Sequence, residues 1–287
     1  MSGVDLISRE NTLVCVFSYN MTFELRVLVQ SMRDNLPGFD VLVIDDASTT
    51  PITRQILSEN SDFFSKTVLQ SECEKTNSRG RLAENIQYAY DVAKDGGYEY
   101  LFLIQDDMQF LREVGEDILS EYSQYFLDER VIQVDPRFLR RLGDIYVDKK
   151  SMFYHFDWQD DRSSYADVGI IKVSRLVDVG WEFDTSERRN KVKANKMGLK
   201  RVFPFRPVAM HLPYPVIYRK GRRKNKFPAP FVRRGRVYFE YLSDEFIDSF
   251  DHRPLEVIPY ARDFLKPRNL GLARLHYMYA NEGRVFA

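Results

Sequence analysis

Short, continuous apolar runs separated by amphipathic stretches constrain this chain more than any other feature. Residues 12–18 (TLVCVFS), 40–44 (DVLVI) and 100–104 (YLFLI) are the right length for buried strands and too short for helices. Residues 66–69 read as a further strand. Between the first two runs, Leu25, Leu28, Val29 and Met32 recur at helical spacing, with Thr22 as N-cap and a stop before Pro37-Gly38. Pro51 opens a second helix, and residues 81–94 form a third, closed by Gly96-Gly97. Apolar strands alternating with helices imply a parallel sheet covered on both faces. Such sheets bind ligands at the carboxyl ends of their strands. Three of these ends carry polar clusters: Ser18-Tyr19-Asn20, Asp45-Asp46 and Gln105-Asp106-Asp107.

Beyond Asp107 the pattern is less regular. Residues 114–126 read as a helix, 131–135 as a strand, 144–165 as a polar, aromatic loop and 167–173 as another strand. A short helix over 174–179 and a basic helix over 186–197 follow, the latter ended by Gly198. After His211 the prolines at 213, 215, 228 and 230 argue against regular structure. There is no internal repeat. A chain of 287 residues with 14% aromatics can bury a large core, which excludes disorder as its main state. Two cysteines, Cys15 and Cys73, are too few for a disulfide scaffold and point to a reducing, cytoplasmic setting. No apolar stretch is long enough to cross a membrane, and residues 1–11 lack the apolar core of a signal peptide.

Charge is balanced overall, 42 basic against 42 acidic, but it is segregated. Residues 188–239 hold 17 basic side chains and no acid, whereas residues 1–187 hold 34 acidic against 19 basic. Six cations fall between Arg219 and Lys226 around Gly221. Such a segment suits a diphosphate, an anionic membrane surface or a lipid-linked acceptor. It could also serve a nucleic-acid-binding protein, but the acidic first part of the chain would repel a polyanion.

The ordered blocks resemble a GT-A glycosyltransferase of the family-2 type over residues 12–211. VCVFSYN (14–20) is similar to that family's opening strand, and VLVIDDAST (41–49) to its Val-Val-Asp-Asp-Gly-Ser-Thr block. NSRGRLAENIQYAY (77–90) follows its Asn-x-Gly helix, and FLIQDDMQF (102–110) sits where its Asp-x-Asp metal motif belongs. GWEFDTSERRNKVKANKMGLK (180–200) follows its Gly-Gly-Phe-Asp to Glu-Asp to Gly block. The resemblance implies an α/β, GT-A (Rossmann-like) mixed and mostly parallel sheet flanked by helices, with a catalytic domain over 1–215 and a basic C-terminal extension over 216–287. It implies transfer of a sugar from a nucleotide-diphosphate donor, UDP- or dTDP-linked, to a hydroxyl of a glycan or lipid-linked acceptor. The expected reaction is inverting and dependent on Mn²⁺ or Mg²⁺, in polysaccharide or glycoconjugate synthesis.

Roles carry over by position. Ser18, Tyr19 and Asp45 would line the base and ribose pocket, Arg79 would approach the nucleotide, and Asp106 would lie near the ribose or sugar. Asp107 would be the direct metal ligand and His211 a third ligand. Gln105 departs from the family's first aspartate and removes one negative charge from a cation site. Glu187 would be the base that deprotonates the acceptor, held ionised at a helix N-terminus, with Asp184 and Glu182 as alternatives. Residues 219–236 would contact the donor diphosphate or an anionic membrane. A sugar-nucleotide nucleotidyltransferase shares the α/β sheet and acidic metal site. Its glycine-rich phosphate loop is missing here, since SYNMTFELR after the first strand contains no glycine.

Overall fold

The apolar runs are continuous because each strand has two sides to bury. In β1 (Thr12–Ser18), Val14 and Val16 pack on one face of the sheet while Leu13, Cys15 and Phe17 pack on the other. Helix α1 (Thr22–Asn35) covers the first face through Leu25, Leu28, Val29 and Met32. β2 (Asp40–Asp45), α2 (Pro51–Glu59) and β3 (Lys66–Leu69) follow; then α3 (Leu82–Asp95) covers the second face through Ile86, Ala89 and Ala93. β4 (Tyr100–Gln105) alternates in the same way, with Phe102 and Ile104 on the first face and Leu101 and Leu103 on the second. The computed structural model describes residues 6–69, 81–140, 143–219, 222–224, 234–271 and 274.

After β4 come β5 (Met108–Phe110), α4 (Glu116–Tyr125), β6 (Val131–Val134), β7 (Tyr146–Asp148) and β8 (Phe153–His155). A single 3-10 turn, Asp161–Ser163, leads to β9 (Gly169–Lys172), α5 (Val173–Asp178) and α6 (Glu187–Lys196). β10 (Lys200–Pro204) and β11 (Ala209–His211) complete the central region. One nine-stranded sheet runs in the order β3-β2-β1-β4-β9-β6-β10-β8-β7. Only β9 and β8 oppose the direction shared by the other seven strands. This is the mixed, mostly parallel sheet flanked by helices that the sequence implied.

Several local expectations change. Thr22 is the first helical residue rather than a cap, and its hydroxyl lies 3.4 Å from that of Thr53 in α2. The loop expected over 144–165 contains the β7–β8 hairpin, whose short strands are masked in the sequence by polar residues. Past His211, β12 (Ile217–Arg219) and β13 (Arg222–Lys224) form an antiparallel pair where prolines had argued against regular structure. The prolines flank that pair instead of entering it. β14 (Tyr238–Phe239), α7 (Asp244–Asp251), α8 (Ala261–Phe264) and β15 (Pro267–Arg268) end the described elements. Phe239, Phe250, Ala261 and Leu265 from this last part share one core with Leu111, Phe138 and Met210. No helix among the described residues is long and apolar enough to cross a membrane.

Candidate active site

The parallel register brings the strand ends together at one edge. Ser18 pairs with Asp45, and Phe17 pairs with Gln105, so the polar residues that follow β1, β2 and β4 are neighbours. The Tyr19 amide donates to Asp106 Oδ2 at 2.7 Å, tying β1 to β4 beyond the sheet. Asn20 takes a left-handed conformation (φ 57°), and its side-chain oxygen accepts from the amides of Thr49 and Thr50 at 2.8 and 3.0 Å. Asp45, fully buried, accepts from the Ser48 amide and hydroxyl at 2.8 and 2.5 Å. Asp46 accepts from the Arg81 amide at the start of α3. The first two loops are therefore fastened to each other before any ligand arrives. Ser18 is buried, and its hydroxyl has no hydrogen-bond partner among the described residues. Arg79 lies outside the described residues.

The two adjacent aspartates have opposite characters. Asp106 is buried, and that burial, with the charges of Asp107, Glu24 and Asp45, pushes its carboxyl well up despite the Tyr19 N–H. That shift favours the protonated carboxyl, a form that can donate as well as accept and so suits contact with ligand hydroxyls. At Asp107 burial also opposes ionisation, but His211, Arg140 and Arg137 outweigh it and hold the carboxyl below its usual range.

His211 reaches Asp107 because β11 pairs antiparallel with β5, placing His211 opposite Met108. Its Nδ1 lies 2.9 Å from Asp107 Oδ1, and its Nε2 meets Nη1 of Arg137. A guanidinium can only donate, so Nε2 accepts and Nδ1 carries the proton given to Asp107. Burial and Arg137 both favour this neutral ring, and the His211 value is pushed down. Arg137 in turn forks onto Asp135, which follows β6, at 2.7 and 2.5 Å. Asp135 is wholly buried and also accepts from Arg201 at 3.1 Å. A continuous relay thus runs Arg201, Asp135, Arg137, His211, Asp107.

This arrangement tests the expected metal centre. Asp107 offers an ionised carboxylate with a second oxygen, which fits a hard cation arriving with a diphosphate. His211 does not fit the role of third ligand as it stands, because neither ring nitrogen has a lone pair to spare. Among the described residues, no group of three or more His, Cys, Asp and Glu side chains could hold a metal ion.

Glu187 is the first residue of α6, whose N-cap Ser186 accepts from the Arg189 amide. Its side chain is 44% exposed and pairs with Lys191 at 2.8 Å. Asp184 pairs with Arg189 at 3.4 Å, and Glu182 is exposed at the surface. The charges of Asp107 and of Glu187 both act on Arg137, which links the strand-end cluster electrostatically to the start of α6. Sequence reasoning missed three members: Asp135, Arg137 and Arg201. Asp135 closes a run read as a strand, so the rule that singled out the other strand ends would have found it.

No protein-family model matches the chain, and no curated protein matches its sequence. Solved structures resemble part of it. Residues 1–349 of S. aureus TarS share 15% identity over 67% of this chain and 57% of that one, with a TM-score of 0.44. The complex of the same piece with UDP gives 18% identity and a TM-score of 0.46, at the same coverage. The mannosyltransferase PcManGT from Pyrobaculum calidifontis, in complex with GDP-Man and Mn²⁺, gives 16% identity and a TM-score of 0.43. That match covers 68% of this chain and 54% of the other. The chain spans little more than half the length of these structures, and the likeness is partial.

Proposed function

We propose that this protein is a glycosyltransferase that moves a sugar from a nucleoside-diphosphate donor to an acceptor hydroxyl with inversion. The observation that carries the reading is the two-sided site around Arg137. On one side stand the loops after β1, β2 and β4, fastened together by Tyr19, Asn20 and Asp106 and ending at the ionised Asp107. On the other stand the carboxylates of Glu187 and Asp167, whose charges act on each other. The first half suits a nucleotide and its phosphates, with Tyr19, Asp45 and Asp106 toward base, ribose and sugar. The second half suits an acceptor that must lose a proton.

In a single displacement the acceptor oxygen bonds to the anomeric carbon as the bond from that carbon to the diphosphate oxygen breaks. The bonding pair leaves with the nucleoside diphosphate, and the acceptor proton passes to the carboxylate pair. Arg137 and Arg140 set a positive field beside Asp107, on the side where negative charge grows on the leaving group. A divalent cation bound with the donor would be held by Asp107 and would neutralise that same diphosphate charge. His211 would keep the Asp107 carboxylate oriented.

The ligands of the similar structures choose the probes. UDP and GDP, each with and without Mn²⁺, should be screened for a rise in melting temperature, since a ligand of the native state stabilises it. One of them should raise Tm in the wild type, and Asp107→Ala should lose the Mn²⁺-dependent part while melting cooperatively. If neither nucleotide nor its sugar conjugate shifts Tm, the proposal fails.

A further inference from the structure

Asp167 belongs to none of the motifs in the sequence, yet the fold builds a support around it. β9 runs antiparallel to β4 with Gly169 opposite Leu103. The chain therefore enters β9 at the edge where β4 ends, and Asp167 lies two residues before that first pair. The backbone on both sides of Asp167 is clamped by one buried side chain, Gln133 of β6. Gln133 Nε2 donates to the carbonyls of Ala166 and Val168 at 2.7 and 3.1 Å, and its Oε1 accepts from the Ala166 amide at 2.8 Å. Gly169 allows the close approach: its φ is +123°, and a Cβ there would lie 2.6 Å from the Val134 carbonyl oxygen.

The same segment fastens α6. Ser164 Oγ donates to the Lys191 carbonyl at 2.9 Å, and Asn195 Nδ2 donates to Asp161 at 3.0 Å. The helix that carries Glu187 and Lys191 is thus held to the 161–164 segment that leads to Asp167. Glu187 and Lys191 from α6 and Tyr165 from the same segment are the titratable groups that face Asp167. The charge of Glu187 also acts on Arg137 and Arg201.

We propose that Asp167, rather than Glu187, takes the proton of the acceptor hydroxyl, with Glu187 as its charged neighbour. The inference rests on the transferase reading above. The acceptor O–H bond breaks toward the Asp167 carboxylate as the oxygen bonds to the anomeric carbon, and the diphosphate departs with the electron pair. Glu187 is exposed and already paired with Lys191, whereas Asp167 is partly buried between two residues that Gln133 clamps. Burial, then the charge of Glu187, raises the Asp167 carboxyl to about 7. A base is most effective when its affinity for the proton matches the working pH.

The test is the pH dependence of nucleoside-diphosphate release from UDP-glucose, UDP-N-acetylglucosamine and GDP-mannose, with octyl β-glucoside and water as acceptors. Wild type, Asp167→Asn and Glu187→Gln are compared from about pH 5 to 9. Asp167→Asn should lose about 10²–10⁴-fold in kcat, with the UDP-induced rise in Tm retained as proof of a folded donor site. Glu187→Gln should lose far less and should shift the acidic limb of kcat/KM to lower pH, because the charge that raises Asp167 has gone. Turnover of Asp167→Asn comparable to wild type would overturn the inference. So would a Glu187→Gln variant that loses as much as expected of Asp167→Asn with its acidic limb in place, since Glu187 would then be the base. If the wild type releases nucleotide from none of the donors, the transferase reading falls and takes this inference with it.

Discussion

Replacing Asp167 by asparagine should make the protein more stable, and increasingly so as pH rises. The carboxyl stands at about 7 in the fold against an ordinary value of 3.8, a rise of roughly three units. At 1.36 kcal/mol per unit, its ionisation costs the folded state at most about 4 kcal/mol. Between about pH 4 and 7 the folded chain keeps a proton that the unfolded chain has released. Stability therefore falls as pH climbs through that window, is penalised in full above it, and is untouched below it. Asparagine has nearly the same shape and no charge to bury. The stability gained by Asp167→Asn should accordingly grow by about 2–3 kcal/mol between pH 5 and pH 8. Urea unfolding of both proteins at the two pH values measures that growth directly. Adding Glu187→Gln to both backgrounds should reduce it, because one of the two causes of the raised value is removed. A gain that is equal at pH 5 and pH 8 would refute the reasoning, since Asp167 would then titrate as an ordinary surface carboxylate.

Two further outcomes concern the frame of the site. Asp135→Ala would leave the buried Arg201 and the half-buried Arg137 with no shared counter-charge and should cost about 3–5 kcal/mol in denaturant unfolding. In the wild type, burial opposes ionisation of Asp135, but Arg137 and Arg201 outweigh it and hold its carboxyl below the usual range. Its contribution should thus persist above about pH 4 and be lost as pH falls through the lower folded value. Gly169→Ala forces a side chain into a left-handed position and against the Val134 carbonyl, and should lower Tm by an amount equivalent to about 1–3 kcal/mol. An alanine variant as stable as the wild type would show that β9 need not approach β6 so closely.

What the sequence revealed follows from how local each signal is. β1, β2 and β4 are buried on both faces, so their residues are apolar without interruption and stand out from any polar background. β5 and β11 have three residues each and exist only because they pair with one another across about a hundred positions. No periodicity can build up in so short a segment. The site divides along the same line. Asp106 and Asp107 advertise themselves by following a strong strand, whereas Arg137 matters through a fork onto Asp135 and a contact with His211 that only the assembled sheet creates. Asp167 is a lone acid two residues before Gly169 in the sequence; only the entry of β9 beside the end of β4 and the clamp of Gln133 on its neighbours single it out.

Gln109 links the site to the order in which the chain is made. Its carboxamide, buried two residues past Asp107, donates to the Phe239 carbonyl and accepts from the Phe239 amide, both at 2.9 Å. These contacts join positions 130 apart, and β5 pairs with β11 about a hundred residues downstream. The four parallel strands can assemble once residue 105 has emerged, but the contacts of Asp107 with His211 and of Gln109 with Phe239 form only when residues 211 and 239 arrive. At synthesis rates of about 5–20 residues per second, that interval lasts roughly 7–27 s. During it the nascent sheet would carry its acidic turn unlocked, with Leu111 and Phe138 waiting for the core they later share with Phe239. A ribosome stalled within that interval should display a sheet that resists protease and a turn at 106–109 that does not.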